Sequence, residues 1–184
     1  MMNSFYSQTE LSELGFKHLG EQVLISRKCS IYSPETINIG NNVRIDDFCI
    51  LSGSITLGSN IHIAAYCALY GAYGIEMEDY TGLSPRCIVF SASDDFSGDF
   101  LISPMVDRTK TNVTGGKVII KKYAQIGAGT ILFPSVVIHE GVAVGAMSLV
   151  NKCLDEWSIY AGIPVKRLKE RKQGLLNLID SYEK

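Results

Sequence analysis

The sequence has no basic excess, no long apolar run and no pairing pattern among its cysteines, and each absence removes a class of function. Its 184 residues carry 17 Lys and Arg against 19 Asp and Glu, a formal net charge of -2. A phosphate backbone would find no electrostatic footprint here, so nucleic acid is not an expected partner. No apolar stretch approaches the roughly 18 to 20 residues that span a bilayer. The opening MMNSFYSQTELSEL has neither the basic n-region nor the apolar h-region of a signal peptide. A cytoplasmic protein without membrane insertion is expected. The five cysteines, Cys29, Cys49, Cys67, Cys87 and Cys153, are odd in number and contain no CxxC pair. That argues against a disulfide framework and against a zinc site, so free thiols and no metal are expected. The length suits one domain over 1–184 rather than two of ordinary size.

What the sequence does contain is a period. An aliphatic residue recurs at every sixth position, at Ile39, Ile45, Leu51, Leu57, Ile63 and Leu69, and again at Ile120, Ile126, Leu132, Ile138 and Val144. A helix wants apolar residues three and four apart and a strand alternates by two, so neither explains six. Three short strands per coil do. Each hexad forms one side of a triangular prism, its leading aliphatic pointing inward, and its fifth residue points inward where only a small side chain fits. Val43, Cys49, Cys67, Thr81, Ala124, Thr130, Val136, Val142 and Ser148 occupy those fifth positions. Cys49, Cys67 and Cys87 recur at nearly one coil and are read as an internal packing ladder. Gly40, Gly58, Gly127 and Gly145 follow leading residues and are assigned to sharp corners that need positive φ. Eighteen residues make a coil, which places Ile39 under Leu57 and Ile120 under Ile138. The expected fold is mainly β, a left-handed parallel β-helix of hexapeptide repeats over 23–160.

Two stretches break the period. Extra residues at Gly71 to Gly74 read as a bulged corner. From Ser91 to Lys117 the hexads vanish into SASDDFSGDFLISPMVDRTKTNVTGGK, a polar excursion loop over 91–117; long excursions from compact folds are usually functional. At the start, Ser7 and Glu10 form a capping box ahead of Leu11, Leu14 and Leu19, which predicts a helical cap within 1–22 that includes His18. At the end, Leu168, Leu175, Leu176 and Ile179 form a stripe that predicts an amphipathic helix within 161–184, weakened at Gly174.

IGAGTILFPSVVI at Ile126 to Ile138, VGAMSLVNK at Val144 to Lys152 and AGIPVKRLK at Ala161 to Lys169 together resemble the hexapeptide-repeat acyltransferases. Within that family the resemblance is to the maltose, galactoside and surface-sugar acetyltransferases, and it covers about residues 37–170. It implies a homotrimer of parallel prisms with acetyl-CoA in the groove between subunits and the excursion reaching over it. The activity implied is acetyl transfer to a hydroxyl or amino group of a sugar or nucleotide-linked sugar, in surface polysaccharide biosynthesis. Gly127, Ala128 and Gly129 match the coenzyme track, and their lack of bulk would let a pantetheine arm lie on the backbone. Ala146 and Ser148 repeat that smoothness one coil on. Lys152, Lys166 and Lys169 match basic positions near the coenzyme phosphates, and Arg167 adds a cation.

The family's catalytic base is a histidine on the excursion loop, and aligning Asp79 to Asp95 puts Asp94 in its place. Tyr66 falls where the family has an acidic or amide residue facing the acceptor. With Ser93 and Asp95 it is assigned to substrate binding, so the acceptor side is altered. Three roles fit Asp94: a base, raised by partial burial beside Asp95; an orienting carboxylate for an amino-sugar acceptor; or a capping aspartate of a turn. His62, a short way along the coil from Tyr66, is the second candidate base. His139 is assigned to a solvated corner. Two rival functions use the same prism: a non-catalytic scaffold, and a zinc carbonic anhydrase drawing on His18, His62 and His139.

Overall fold

In the computed structural model, which describes residues 4–182 with side chains through Ile179, the period becomes a parallel β-solenoid of three faces. Face 1 stacks His18–Leu19, Ile37–Ile39, the ends of Ile50–Leu57 and Ala68–Met77, Val118–Ile120 and Val137–Ile138. Face 2 stacks Leu24–Ile25, Val43–Ile45, Ile61–Ile63, Gly82–Leu83, Gln125–Ile126, Ala143–Val144 and Ser158–Ala161. Face 3 stacks Ser30–Tyr32, the starts of Ile50–Leu57 and Ala68–Met77, Ile88–Phe90, Ile131–Leu132 and Leu149–Val150. Ile39 pairs with Leu57 and Ile120 with Ile138, the eighteen-residue register the repeat implies.

The interior follows the pattern. Every leading aliphatic and every fifth-position residue named above is buried. Along one inner edge the small residues are also donors: the thiols of Cys49, Cys67 and Cys87 reach the carbonyls of Ala64, Ser84 and Gly127, each at 3.2 Å. Cys29 begins this row with a bond to the Asp46 carbonyl. Corner carbonyls along that edge therefore find partners in the thiols.

The corner glycines do a different job from the one the sequence suggests. Gly40, Gly58, Gly127 and Gly145 are not in the left-handed region; that conformation falls two residues later, on Asn42, Asn60, Gly129 and Met147. What excludes a side chain at Gly40 and Gly127 is the next coil, since a Cβ there would lie 2.6 Å from the Gly58 carbonyl oxygen and 2.5 Å from the Ala146 nitrogen. Close stacking, not turning, fixes these glycines. The bulge at Gly71 to Gly74 is present: between Gly53 and Ile55 the lower strand advances two residues while its partner advances four, from Gly71 to Ile75.

Both ends differ from expectation. Gln8–Glu13 is a helix with the Ser7–Glu10 capping box, and the Arg27 guanidinium bonds both Glu10 carboxylate oxygens. His18, however, lies in the first strand of face 1. At the other end, Lys166–Glu170 is a strand paired antiparallel to Ser158–Ala161, and the helix begins only at Leu175–Tyr182. The last coil would otherwise leave an edge of unpaired backbone groups, which the hairpin covers. Leu168 is accordingly exposed rather than on a helix stripe. The half-buried Arg171 closes this end, donating to the carbonyls of Tyr123 and Gly141 at 2.8 and 3.0 Å.

The excursion leaves at the corner between faces 3 and 1 and has structure of its own. Ala92–Ser93 pairs antiparallel with Thr114–Gly115 to form a neck. Above it, Asp95 accepts bonds from the Ser97 amide and the Asn112 side chain, both at 2.7 Å, clasping the two limbs together. A short turn at Arg108–Lys110 is tied back by the Leu101 amide to the Lys110 carbonyl at 2.9 Å.

Candidate functional site

Of the adjacent carboxylates in the excursion, one is used up and the other is open. Asp95 makes the clasp just described, and its bonds to Ser97 and Asn112 hold its carboxyl below the ordinary value. Both bonds commit the Asp95 side chain to holding the excursion together. Asp94 is exposed, so the partial burial expected of it is absent, and its carboxylate has no bonding partner among the described residues. The Ser93 hydroxyl turns back onto the Asp94 carbonyl at 3.1 Å.

Asp94 stands in a wall between two hollows. On one side is a cleft of about 810 Å³ under the excursion, where Asp94 is joined by Tyr70, Ser103, Arg108, Thr111 and Val113. On the other is a recess of about 290 Å³ lined by Phe90, Ala92, Ser93, Phe96 and Phe133. A carboxylate, a guanidinium, an aromatic ring and two hydroxyl residues in one cleft suit a polar ligand carrying both signs of charge.

A second group of polar residues lies on face 2 and the corner after it. His62 is exposed, and its Nε2 is 2.8 Å from Asp46 Oδ2, with Arg44 on the other Asp46 oxygen at 2.7 Å. Burial acts to raise the Asp46 carboxyl, but these two hydrogen bonds outweigh it and hold it below the ordinary range. His62 lines a dent of about 400 Å³ with Ser84, Pro85 and Gln125. Gly82 also lines the dent, and a Cβ there would sit 2.5 Å from the Gln125 side-chain oxygen. On the adjoining corner Tyr66 is stacked on Phe48 at 5.0 Å, with the Arg86 guanidinium 5.9 Å from its ring.

The coenzyme positions divide into a track and outliers. Gly127, Ala128 and Gly129 form the corner between faces 2 and 3, and Ala146 continues it one coil up. Gly145 packs under Ala161, which pairs with Lys166, so small residues lead from Gly127 to a strand carrying Lys166, Arg167 and Lys169. Arg167 is partly committed, donating to the Ser158 hydroxyl at 3.0 Å. Ser148 is turned inward: its hydroxyl is buried, donates to the Gly145 carbonyl and accepts from the Gly162 amide. Its side chain belongs to the prism interior and not to a ligand surface. Lys152 lies on the corner between faces 3 and 1, away from the track.

One chain therefore does not bring all the candidates together. Asp94 rises from the corner at one end of face 3, whereas the track, Tyr66 and Ser84 lie at or beside its other end. His18, His62 and His139 do not converge either, and the described residues contain no group of three or more His, Cys, Asp or Glu able to hold a metal. Sequence reasoning did not single out Ser84, which lines the dent, or Arg108, which lines the cleft. Ser84 follows an inward leading residue at a corner, in the same stretch that supplied Asp94, and Arg108 sits inside the excursion already marked as functional.

No protein-family model matches the chain. It is 40% identical over 178 residues, 95% of its length and 93% of the relative's, to the dTDP-4-amino-4,6-dideoxy-D-glucose acyltransferase of Escherichia coli. Among solved structures, AntD, an N-acyltransferase from Bacillus cereus in complex with dTDP and 3-hydroxybutyryl-CoA, superposes with a TM-score of 0.96 at 57% identity. That match covers 99% of this chain and 97% of AntD. AntD has also been solved as S84A and D94N variants, the former with dTDP-4-amino-4,6-dideoxyglucose and coenzyme A. This chain has Ser84 and Asp94 at those numbers. A maltose O-acetyltransferase from Clostridium difficile shares the fold, with a TM-score of 0.60 at 20% identity over 90% of this chain and 75% of that one.

Proposed function

The chain belongs to the hexapeptide-repeat β-helix acyltransferases, and we propose that it transfers an acyl group from coenzyme A to the amino group of a nucleotide-linked sugar. The observation that carries this reading is the open carboxylate of Asp94 in the cleft. A carboxylate without a partner attracts an ammonium, takes one of its protons for release to solvent, and holds the amine for attack. The nitrogen then attacks the thioester carbonyl, the C–N bond forms, the C–S bond breaks, and the proton shed by that nitrogen passes to the sulfur, so that coenzyme A leaves as the thiol. An amine needs less help from a base than a hydroxyl does, which accounts for an aspartate in place of a histidine. The ligands of AntD, a dTDP-amino sugar and an acyl-CoA, fit the same division of labour.

Packing supports a homotrimer. The outer side of face 3 carries Tyr32, Ile50, Tyr70, Ile88, Phe90, Ile131 and Phe133, several of them well exposed, whereas face 2 presents Arg44, His62 and Gln125. Three copies associating through face 3 would bury that apolar surface. Each copy's excursion would then stand against the neighbour's corner of Tyr66, Ser84, Gly127 to Gly129 and Ala146. In that arrangement acyl-CoA follows the small-residue track toward Lys166, Arg167 and Lys169, with Lys152 on the opposite wall. In this reading Ser84 donates to the developing oxyanion, and His62, bonded to Asp46, is the second proton acceptor. Acyl-CoA chemistry and five free thiols suit the cytoplasm, and an N-acylated nucleotide sugar suits surface polysaccharide assembly.

The test is release of coenzyme A thiol with dTDP-4-amino-4,6-dideoxyglucose against dTDP-glucose. Turnover that requires the amine is expected; equal turnover on both, or none on either, would overturn the reading. A solution mass of three chains is expected, and a monomer would remove the shared site.

A further inference from the structure

We propose that Arg108 reads the diphosphate of the acceptor and so makes the enzyme selective for nucleotide-linked over free amino sugars, an inference that rests on the acceptor class proposed above. Arg108 lines the same cleft as Asp94. The ligand class has a cationic amine at one end and an anionic diphosphate a sugar ring away, and the cleft offers one carboxylate and one guanidinium. Other cations near the excursion are placed elsewhere. Lys117 at the neck is bonded to Glu76, and Lys110 does not line the cleft. Among the described residues no carboxylate lies within ion-pair distance of Arg108, so its donors are available. A guanidinium presents a fork that matches two phosphate oxygens at once.

The backbone beneath Arg108 is fixed. Asp107 accepts from the Thr109 amide at 2.9 Å, the Thr111 amide returns to the Arg108 carbonyl, and the Leu101 amide bonds the Lys110 carbonyl. The Asp95–Asn112 clasp closes the excursion across its base. The cleft also holds Tyr70, stacked on Phe90 at 5.4 Å, which offers a ring edge beside the charged groups. An arginine on a turn built in this way can hold a ligand without first ordering a loop.

The experiment compares wild type with Arg108→Gln and Arg108→Lys in the full-length protein. In titrations with dTDP alone, Arg108→Gln should bind about tenfold more weakly or worse, the loss expected for one charge-assisted contact. In turnover, its KM for the dTDP-amino sugar should rise by the same factor, while kcat, the KM for acyl-CoA and the melting temperature stay put. Arg108→Lys should recover part of the loss, because a point charge remains but the fork does not. The preference for the dTDP-amino sugar over 4-amino-4,6-dideoxyglucose should fall by the same factor in Arg108→Gln. Unchanged dTDP affinity, or a rise in the acyl-CoA KM instead, would overturn the assignment. Binding of dTDP is read without turnover, so failure of the transfer reaction itself would be seen separately.

Discussion

In the coils Leu69 is 0% exposed and sits between Leu51 below and Val89 above, whereas in the excursion Phe96 and Met105 are 80% and 89% exposed. The coils place large aliphatics and small fifth residues where the interior requires them, and their backbone groups pair with the coils on either side. The excursion lies outside that core and is held by a two-residue neck, one clasp and a short turn. Asp94, an uncommitted carboxylate that lines the cleft, is the one proposed for chemistry. Stability and activity are thereby assigned to different stretches of a single chain, and substitutions should separate them.

The largest stability effect is expected in the coils. Leu69→Ala should cost about 2 to 5 kcal/mol, since the prism cannot collapse around a missing side chain. Chemical denaturation measures it, and a loss below 1 kcal/mol would mean the interior is looser than described. Gly40→Ala should cost about 1 to 3 kcal/mol through displacement of the next coil, despite alanine's preferred backbone conformation. Asn112→Ala should cost about 1 kcal/mol or less in overall stability, yet raise the acceptor KM severalfold by opening the clasp. The same clasp has a sign in pH. The Asp95 carboxyl is lowered in the folded state, so its stabilisation is complete above the ordinary value of 3.8 and is lost as pH falls through the lower folded value. Limited proteolysis of the excursion across that range should show protection fading on the acid side only.

The smallest effect is on the thiols. The Cys29 thiol acts to lower Cys49, but Cys67 and burial outweigh it and push Cys49 up to about 12. Cys153 is exposed. A thiol reagent at neutral pH should therefore modify Cys153 quickly and leave the inner row untouched until unfolding. Rapid reaction of two or more thiols in the native protein would contradict the closed interior.

The solenoid was legible in the sequence because each coil repeats the same demand: six-residue spacing, small fifth positions and the cysteine row all survive in the structure. The corner glycines were placed correctly and explained wrongly, since the approach of a neighbouring coil is not visible from one hexad. The C-terminal strand Lys166–Glu170 was read as helix because spacing of Leu168 with Leu175 and Leu176 says nothing of an open sheet edge that needs pairing. Asp94 was found through a break in a family pattern. Arg108 and Ser84 were not, because the roles proposed for them depend on a cleft and a dent created by residues distant in sequence. Ser148 was assigned to coenzyme through the family resemblance and its smallness, and the same smallness had already placed it inside the prism.

Turnover of the Asp94→Asn protein at saturating acyl-CoA and dTDP-4-amino-4,6-dideoxyglucose tests the separation of fold from chemistry most directly. A fall of about 100-fold or more is expected, with the melting temperature within a degree or two of wild type because the side chain holds nothing in place. Full turnover would contradict the role given to the open carboxylate, and lost turnover accompanied by unfolding would contradict the claim that the excursion carries chemistry rather than stability.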